Sequence, residues 1–340
     1  MTSRPALLEV TDLTKYYPVR SSILRRAIGK VYAVDGVSLT LGVGETLGLV
    51  GESGCGKSTV ARSIMRIVQP TSGSIKLNGN DIARLGRSEM RPYRRSMQII
   101  FQDPFASLNG RMRAGDIVAE PLAVHGIATG RARQERVAEL FEQVGLRPDQ
   151  MQNFPHQFSG GQRQRICIAR ALALGPSLLV CDEPVSALDV SIQAQVINLL
   201  IDLQRAKGLS YLFIAHDLAV VAHISHRIAV MYLGRIVEIA DKADLFANPK
   251  HPYTQALLAA VPVADPKKRN TTPLIEGDVP SPINPPSGCA FHTRCRYVMD
   301  RCKVEAPKLR ETGPRHQAAC FLNGSVGLEP NPPAAQRAEP

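Results

Sequence analysis

A chain of 340 residues with 44% apolar side chains can bury one large core and carry an appendage. It has no Trp, 5% aromatic residues and a formal net charge of +11, so it calls for anionic partners while offering few rings for stacking nucleic-acid bases. No run reaches the roughly 18 apolar residues that span a bilayer, and MTSRPALLEVTD lacks a signal-peptide core, so the chain is expected in the cytosol, where structural disulfides are disfavoured.

Short apolar, β-branched runs alternate with amphipathic stretches, the pattern of a parallel sheet covered by helices on both faces. The first expected strand is Thr46–Val50. It runs directly into Gly51-Glu52-Ser53-Gly54-Cys55-Gly56-Lys57-Ser58, followed by Thr59. This fits the phosphate-loop pattern GxxxxGK[ST] in its required place between a strand and a helix. Glycines let backbone N–H groups point at a β-phosphate, Lys57 reaches the β- and γ-phosphates, and the Ser58 hydroxyl ligates Mg²⁺. Cys55, beside Lys57 at a helix start, is expected to favour the thiolate.

Two basic groups, Arg84, Arg87, Arg91, Arg94, Arg95, Arg111 and Arg113, and Arg25, Arg26 and Lys30, read as a solvated face or subunit contact, with no specific nucleic-acid partner. A second strand is expected at Met97–Phe101. Residues 103–173 are rich in helix formers and read as a helical insertion. Within it, FSGGQRQRICIARAL opens a helix at Ser159, Gly160, Gly161 and Gln162. These residues suit a capping box, and equally a second anion cradle at a helix N-terminus. With one cradle already serving a nucleotide, the economical use of the second is to cover the nucleotide of a partner chain.

LLVCDEP follows, with a buried strand Leu178–Cys181 and two carboxylates at its end. Asp182 can hold Mg²⁺ through water, and Glu183 can polarise an attacking water. Two adjacent carboxylates at a strand end call for a cation nearby. Ile192, Val196, Leu199, Leu200 and Leu203 make one helical stripe, and further strands are expected at Tyr211–Ala215 and Ile228–Tyr232. Cys167 and Cys181 lie on apolar faces and read as small core residues, and His223 and His226 as helix-surface histidines. Past Ala240 come the proline-bounded helix HPYTQALLAAVP, seven prolines between Pro262 and Gly288, four of the chain's seven cysteines, and a polar tail beyond Asn323 expected to be disordered.

The phosphate loop, SGGQ, CDEP, SALD and IAHD, in this order and spacing over roughly residues 7–240, resemble the nucleotide-binding subunits of ABC transporters. The resemblance implies an α/β phosphate-loop NTPase fold with a RecA-like core and a helical subdomain, an ATPase activity, and ATP with Mg²⁺ as ligands. It also implies that Gln102 touches Mg²⁺ and senses the membrane subunit, and that Ser159–Gln162 form the signature, here preceded by Phe158 instead of the commoner Leu. Asp189 would link two ATP sites, His216 would contact the γ-phosphate, and Tyr17, ahead of Tyr16, would stack on adenine. The C-terminal part resembles the oligopeptide/dipeptide importer branch, closest to its F-type subunit. The partners implied are a paralogous or identical ATP-binding chain, two transmembrane permease subunits and an extracytoplasmic solute-binding protein. The chain would sit peripherally on the cytoplasmic face of the cell membrane and power uptake of peptides or related solutes. A soluble ABC ATPase acting on nucleic acid or ribosomes is the rival reading, and a single cassette without a large insertion between Lys57 and Ser159 speaks against it.

The domain limits expected are 1–240 for the nucleotide-binding domain, 241–288 for a helix and linker, 289–322 for a cysteine-rich region and 323–340 for the tail. Family members carry such a cysteine-rich tail, in some cases with an iron–sulfur cluster. Cys289, Cys295, Cys302 and Cys320 are spaced C-x5-C-x6-C-x17-C, without the short knuckles of structural zinc modules. Iron–sulfur sites tolerate more varied loops, and Arg294, Arg296, Arg301 and Lys303 offset thiolate charge. A 4Fe–4S cluster is therefore the leading expectation and Zn²⁺ the runner-up; His292 and His316 are reserve ligands, though a surface role is the readier expectation for both. The group is expected to staple the tail without taking part in hydrolysis.

Overall fold

The computed structural model describes residues 5–20, 27–260 and 277–324. Arg25 and Arg26, the proline-rich stretch 262–276, and the tail beyond Gly324 lie outside the described residues.

The strands, in chain order, are β1 (Ala6–Arg20), β2 (Ala27–Gly42), β3 (Thr46–Val50), β4 (Ser72–Leu77), β5 (Asn80–Asp81), β6 (Met97–Ile100), β7 (Leu178–Asp182), β8 (Ser210–Ile214), β9 (Arg227–Tyr232), β10 (Arg235–Asp241), β11 (Arg310–Gly313) and β12 (His316–Ala318). The helices are α1 (Lys57–Ile64), α2 (Met90–Ser96), α3 (Pro104–Ser107), α4 (Ala114–Val124), α5 (Gly130–Gln143), α6 (Gly160–Leu172), α7 (Val190–Lys207), α8 (Leu218–Ile224), α9 (Lys242–Ala247), α10 (Pro252–Ala259) and α11 (Asp300–Val304).

The central sheet has the order β11-β12-β10-β9-β3-β8-β7-β6, and its stretch from β9 to β6 is parallel throughout. All five strands expected from the sequence lie in that stretch. Their residues are buried on both faces in alternation. On β8, Tyr211 and Phe213 face the helices α4–α8, while Leu212 and Ile214 face α1 and the β1–β2 hairpin. Helix α8 approaches so closely that a Cβ on Gly48 would stand 2.2 Å from Val221 Cγ1. In α7, Val196, Leu200 and Leu203 of the expected stripe are buried, with Ile192 and Leu199 packed against them.

A second, antiparallel sheet, β2-β1-β4-β5, covers the other face. The sequence did not mark it, because register shifts after Val10 and Lys15 break the alternation that signals a strand. The C-terminal strands were also unmarked. β12 pairs antiparallel with β10, placing Gln317 opposite Ile239, so the cysteine-bearing region extends the central sheet. Glu238 of β10, fully buried, accepts from the backbone N–H groups of Lys250 (2.6 Å) and His251 (2.9 Å) and contacts His316 Nε2 at 2.7 Å. His316 is thus a buried docking residue, and the reserve-ligand and surface readings both fail for it.

Candidate nucleotide site

β3, β6, β7 and β8 end at the same carboxyl edge of the parallel sheet, where open α/β sheets bind their ligands. From β3 the chain turns through Gly51–Gly56 into α1. Close approach demands glycine twice. A Cβ on Gly51 would lie 2.1 Å from the Met231 carbonyl oxygen, and one on Gly56, where φ is +105°, would lie 2.0 Å from that of Ala33. Lys57, 4% exposed, folds back over the loop and donates to the carbonyl oxygens of Gly51 (2.8 Å) and Glu52 (3.0 Å). Ser58 Oγ donates to Asp182 Oδ1 at 2.7 Å.

Asp182 is buried at the end of β7, and burial raises its carboxyl above the usual range, opposed by the Ser58 hydrogen bond and the Arg62 charge. Glu183 follows in a left-handed conformation, φ +49°. Such strain costs on the order of 1–3 kcal/mol and concentrates at functional sites. It is held there by its N–H donating to Ile214 O (3.0 Å) and by its carbonyl accepting from Ser186 N (3.3 Å) and Oγ (3.1 Å). Three side chains converge on the Glu183 carboxylate: Gln102 Nε2 at 3.0 Å, His216 Nδ1 at 3.6 Å and Lys57 Nζ at 3.9 Å. The cluster draws one residue from beyond each of four strands. The arrangement can hold a triphosphate over α1, a cation between Ser58 and Asp182, and a water against Glu183.

The remaining motif residues face elsewhere. Ser159 caps α6 in a reciprocal box, its Oγ accepting from Gln162 N (3.3 Å) and its N–H donating to Gln162 Oε1 (3.0 Å). Gly161 abuts α7, where a Cβ would stand 2.5 Å from Ile192 Cγ2. Asp189 begins α7 and is exposed, beside Val190 at 82% exposure. Among the described residues, no hydrogen bond or ion pair links Ser159–Gln162 or Asp189 to the phosphate loop. Tyr17 keeps an accessible ring, with Lys15 Nζ 4.9 Å from its centroid. Tyr16 is engaged instead, donating to Asp35 Oδ1 at 2.6 Å and packing on Tyr32.

Cys55 is a correction. It is 3% exposed, and burial pushes its thiol up, outweighing Lys57, so the thiolate is not favoured. Cys167 and Cys181 are buried core residues, as expected, and burial raises the Cys167 thiol to about 11. Of the basic residues, Arg91 and Arg95 line an open cavity with His125 and Ser96, remote from the phosphate-loop cluster in the fold.

The four C-terminal cysteines are free thiols. They line one apolar cavity together with Phe291, His292 and His251. Burial raises the Cys295 thiol to about 11 and that of Cys320 to about 12, with the neighbouring thiols adding to the rise. No group of three or more His, Cys, Asp or Glu among the described residues is placed to hold a metal ion. His292 Nδ1 lies 2.9 Å from the Cys289 carbonyl oxygen.

Residues that motif reading missed surround the loop from the C-terminal side. Glu52 N donates to Tyr253 Oη at 2.9 Å, and the rings of Tyr232, Tyr253 and Phe291 form one cluster with centroids 4.8–5.4 Å apart. The prolines around HPY and the lone Phe291 were the only sequence signals available for them.

Residues 34–186 match the family model described as ABC transporter, and residues 237–302 match that described as Oligopeptide/dipeptide transporter, C-terminal region. The chain is 52% identical over 97% of its length, and 94% of the relative's, to a peptide ABC transporter ATP-binding protein of Sinorhizobium fredii. It is likewise 52% identical to the oligopeptide transport ATP-binding protein AppF of Bacillus subtilis, covering 94% of this chain and 98% of the relative. Among solved structures, the ATP-binding cassette MJ0796, a dimer bound to ADP and Pi, aligns with a TM-score of 0.62 at 28% identity over 69% of this chain and 98% of that one. The cassette cbiO1 of Clostridium perfringens aligns with a TM-score of 0.61 at 26% identity over 72% and 91%. A phosphate loop, a paired-carboxylate strand and a family-specific C-terminal region thus agree over nearly the whole chain, which belongs to the ATP-binding subunits of oligopeptide/dipeptide ABC transporters.

Proposed function

We propose that this chain hydrolyses ATP on the cytoplasmic side of a membrane-embedded peptide importer, with Glu183 as the group that polarises the attacking water. The convergence of Lys57, Gln102 and His216 on the Glu183 carboxylate, beside the Ser58–Asp182 pair, carries the reading. Lys57 exchanges the Gly51 and Glu52 carbonyls for β- and γ-phosphate oxygens. Backbone N–H groups of Gly51, Ser53, Gly54, Cys55, Gly56 and Thr59 cradle the phosphates with the help of α1. Ser58, Asp182 and Gln102 would hold Mg²⁺, which neutralises phosphate charge when bound; a buried carboxyl whose acidity is weakened by desolvation suits a cation. Glu183 takes the water proton, His216 orients toward the γ-phosphate, and Tyr17 offers a ring to adenine.

The outward-facing signature, Ser159, Gly160, Gly161 and Gln162, with Asp189 and the exposed Val190, fits a surface that closes over the nucleotide of a second ATP-binding chain. The dimeric state of the solved relative supports that arrangement. No helix among the described residues is long and apolar enough to cross a membrane, so permease subunits would supply the path. An extracytoplasmic solute-binding protein, a paralogous partner, F-type identity and the division into residues 1–240, 241–288, 289–322 and 323–340 belong to the same proposal. The relatives' names speak for peptides as cargo and against a nucleic-acid or ribosomal role.

For the four cysteines we favour a 4Fe–4S cluster over Zn²⁺. The four thiols line one apolar cavity, as ligands of a single cluster must, and the C-x5-C-x6-C-x17-C spacing lacks the short knuckles of structural zinc modules. The function is tested with Glu183→Gln. Binding of ATP should persist while hydrolysis falls at least about a hundredfold, the range spanned by loss of a general base. Unchanged turnover in the assembled transporter removes Glu183 from the mechanism.

A further inference from the structure

The cysteine-bearing region reaches the phosphate loop itself. Arg294, the residue before Cys295, makes a two-pronged pair with Glu52, Nη1 to Oε2 at 2.8 Å and Nη2 to Oε1 at 3.1 Å, across 242 positions of sequence. The Arg294 side chain is 7% exposed and that of Glu52 24%. Arg294 Nη1 also lies 3.5 Å from Tyr232 Oη. Its backbone is set by a tight turn in which Arg294 N donates to Phe291 O (3.0 Å).

Glu52 is therefore gripped at three points: its carboxylate by Arg294, its N–H by Tyr253 Oη and its carbonyl by Lys57 Nζ. It is the second residue of the loop that must receive a polyanion. An unpaired carboxylate on that loop would oppose the binding of a polyanion, and in a partly buried site such repulsion is screened less than in water. A planar guanidinium can neutralise it and fix its orientation together, which an ammonium cannot.

We propose that Arg294 is a positioning residue for nucleotide binding: by pairing with Glu52 it neutralises and shapes the phosphate loop, making the C-terminal region part of the ATP site. The proposal rests on the phosphate-loop reading above and departs from a purely stapling role for the cysteine region. A merely structural pair would dock the tail and leave ATP affinity to Lys57.

The full-length subunit, purified anaerobically, is titrated with ATP by calorimetry, with steady-state hydrolysis and iron and zinc content measured alongside. Arg294→Gln should raise the Kd and KM for ATP about tenfold, with kcat changing less than KM, because an exposed negative charge is left beside the phosphates. Arg294→Lys, with charge but no second prong, should fall between. The double variant Arg294→Gln/Glu52→Gln should recover affinity to within about threefold of the parent, because the repelling charge is gone. Parent-like affinity in Arg294→Gln overturns the proposal, as does a double variant no better than the single. Should Arg294→Gln fail to fold, the double and Lys variants decide by the same criteria. If the parent itself binds no ATP, the phosphate-loop reading fails; if the parent binds and all variants match it, only the role of Arg294 fails.

Discussion

His251 gives the pH dependence of this fold a definite sign. It caps α10, and its Nδ1 accepts from Tyr253 N at 3.1 Å. The ring is 1% exposed and lies 5.8 Å from that of Phe291, beside the cysteine cavity, while the backbone N–H of the same residue donates to the Glu238 carboxylate. Burial holds the imidazole neutral, with a pKa of about 3 against 6.5 in the unfolded chain. Between those values the unfolded chain binds the extra proton. The His251 contribution to stability is therefore complete above pH 6.5 and is lost as pH falls below it. At about 1.36 kcal/mol per unit, the loss reaches about 2 kcal/mol at pH 5. His251→Asn keeps a capping acceptor for the Tyr253 N–H and removes the titration. Melting temperatures of both proteins are compared at pH 7.5, 6 and 5. The parent should lose about 2 kcal/mol more than His251→Asn by pH 5, a shift of a few degrees. Comparing the two cancels other titrating groups, and parallel curves would refute a buried neutral His251.

Two further outcomes follow from the cysteines. Cys55 should label slowly with maleimide in the native protein, with or without Mg-ATP, and rapidly once unfolded; fast native labelling suppressed by nucleotide would contradict its burial. Cys302→Ser should abolish metal binding at the C-terminal site in anaerobically prepared protein, judged by iron, acid-labile sulfide and zinc. Iron with sulfide in the parent supports the cluster, zinc alone the runner-up, and neither metal removes both.

The parallel strands were legible because strands buried on both faces read as continuous apolar runs, as in LLVCD and YLFI. Contiguous motifs were legible for a related reason: a loop that cradles phosphate fixes residue types at fixed spacing. Burial is different. Lys57 beside Cys55 in sequence suggested a thiolate, but the fold wraps that thiol in apolar surroundings that outweigh the lysine. β11 and β12 were illegible because Arg310–Gly313 and His316–Ala318 are short and polar and become strands by pairing with the edge of β10. Glu52 gave no sign of its partner either, since a contact between two non-repeating loops leaves no periodicity to read.

These long-range links also explain how a region with little apolar surface keeps its place. β12 covers the open edge of β10, removing a row of unpaired backbone groups that would otherwise invite aggregation. Glu238 binds His316 from that region and two backbone N–H groups ahead of α10, so one buried carboxylate serves both attachments. Phe291 completes the ring cluster with Tyr232 and Tyr253, and Tyr253 in turn holds the N–H of Glu52. Removing one partner of a buried hydrogen bond costs about 1–3 kcal/mol, because the group left behind loses its desolvated partner. Loss of His316 would therefore be felt well beyond β12. The path from the cysteine cavity to the phosphate loop runs through Phe291 and Arg294, residues one to four positions from Cys295, so a change in that cavity has a direct physical route to the nucleotide.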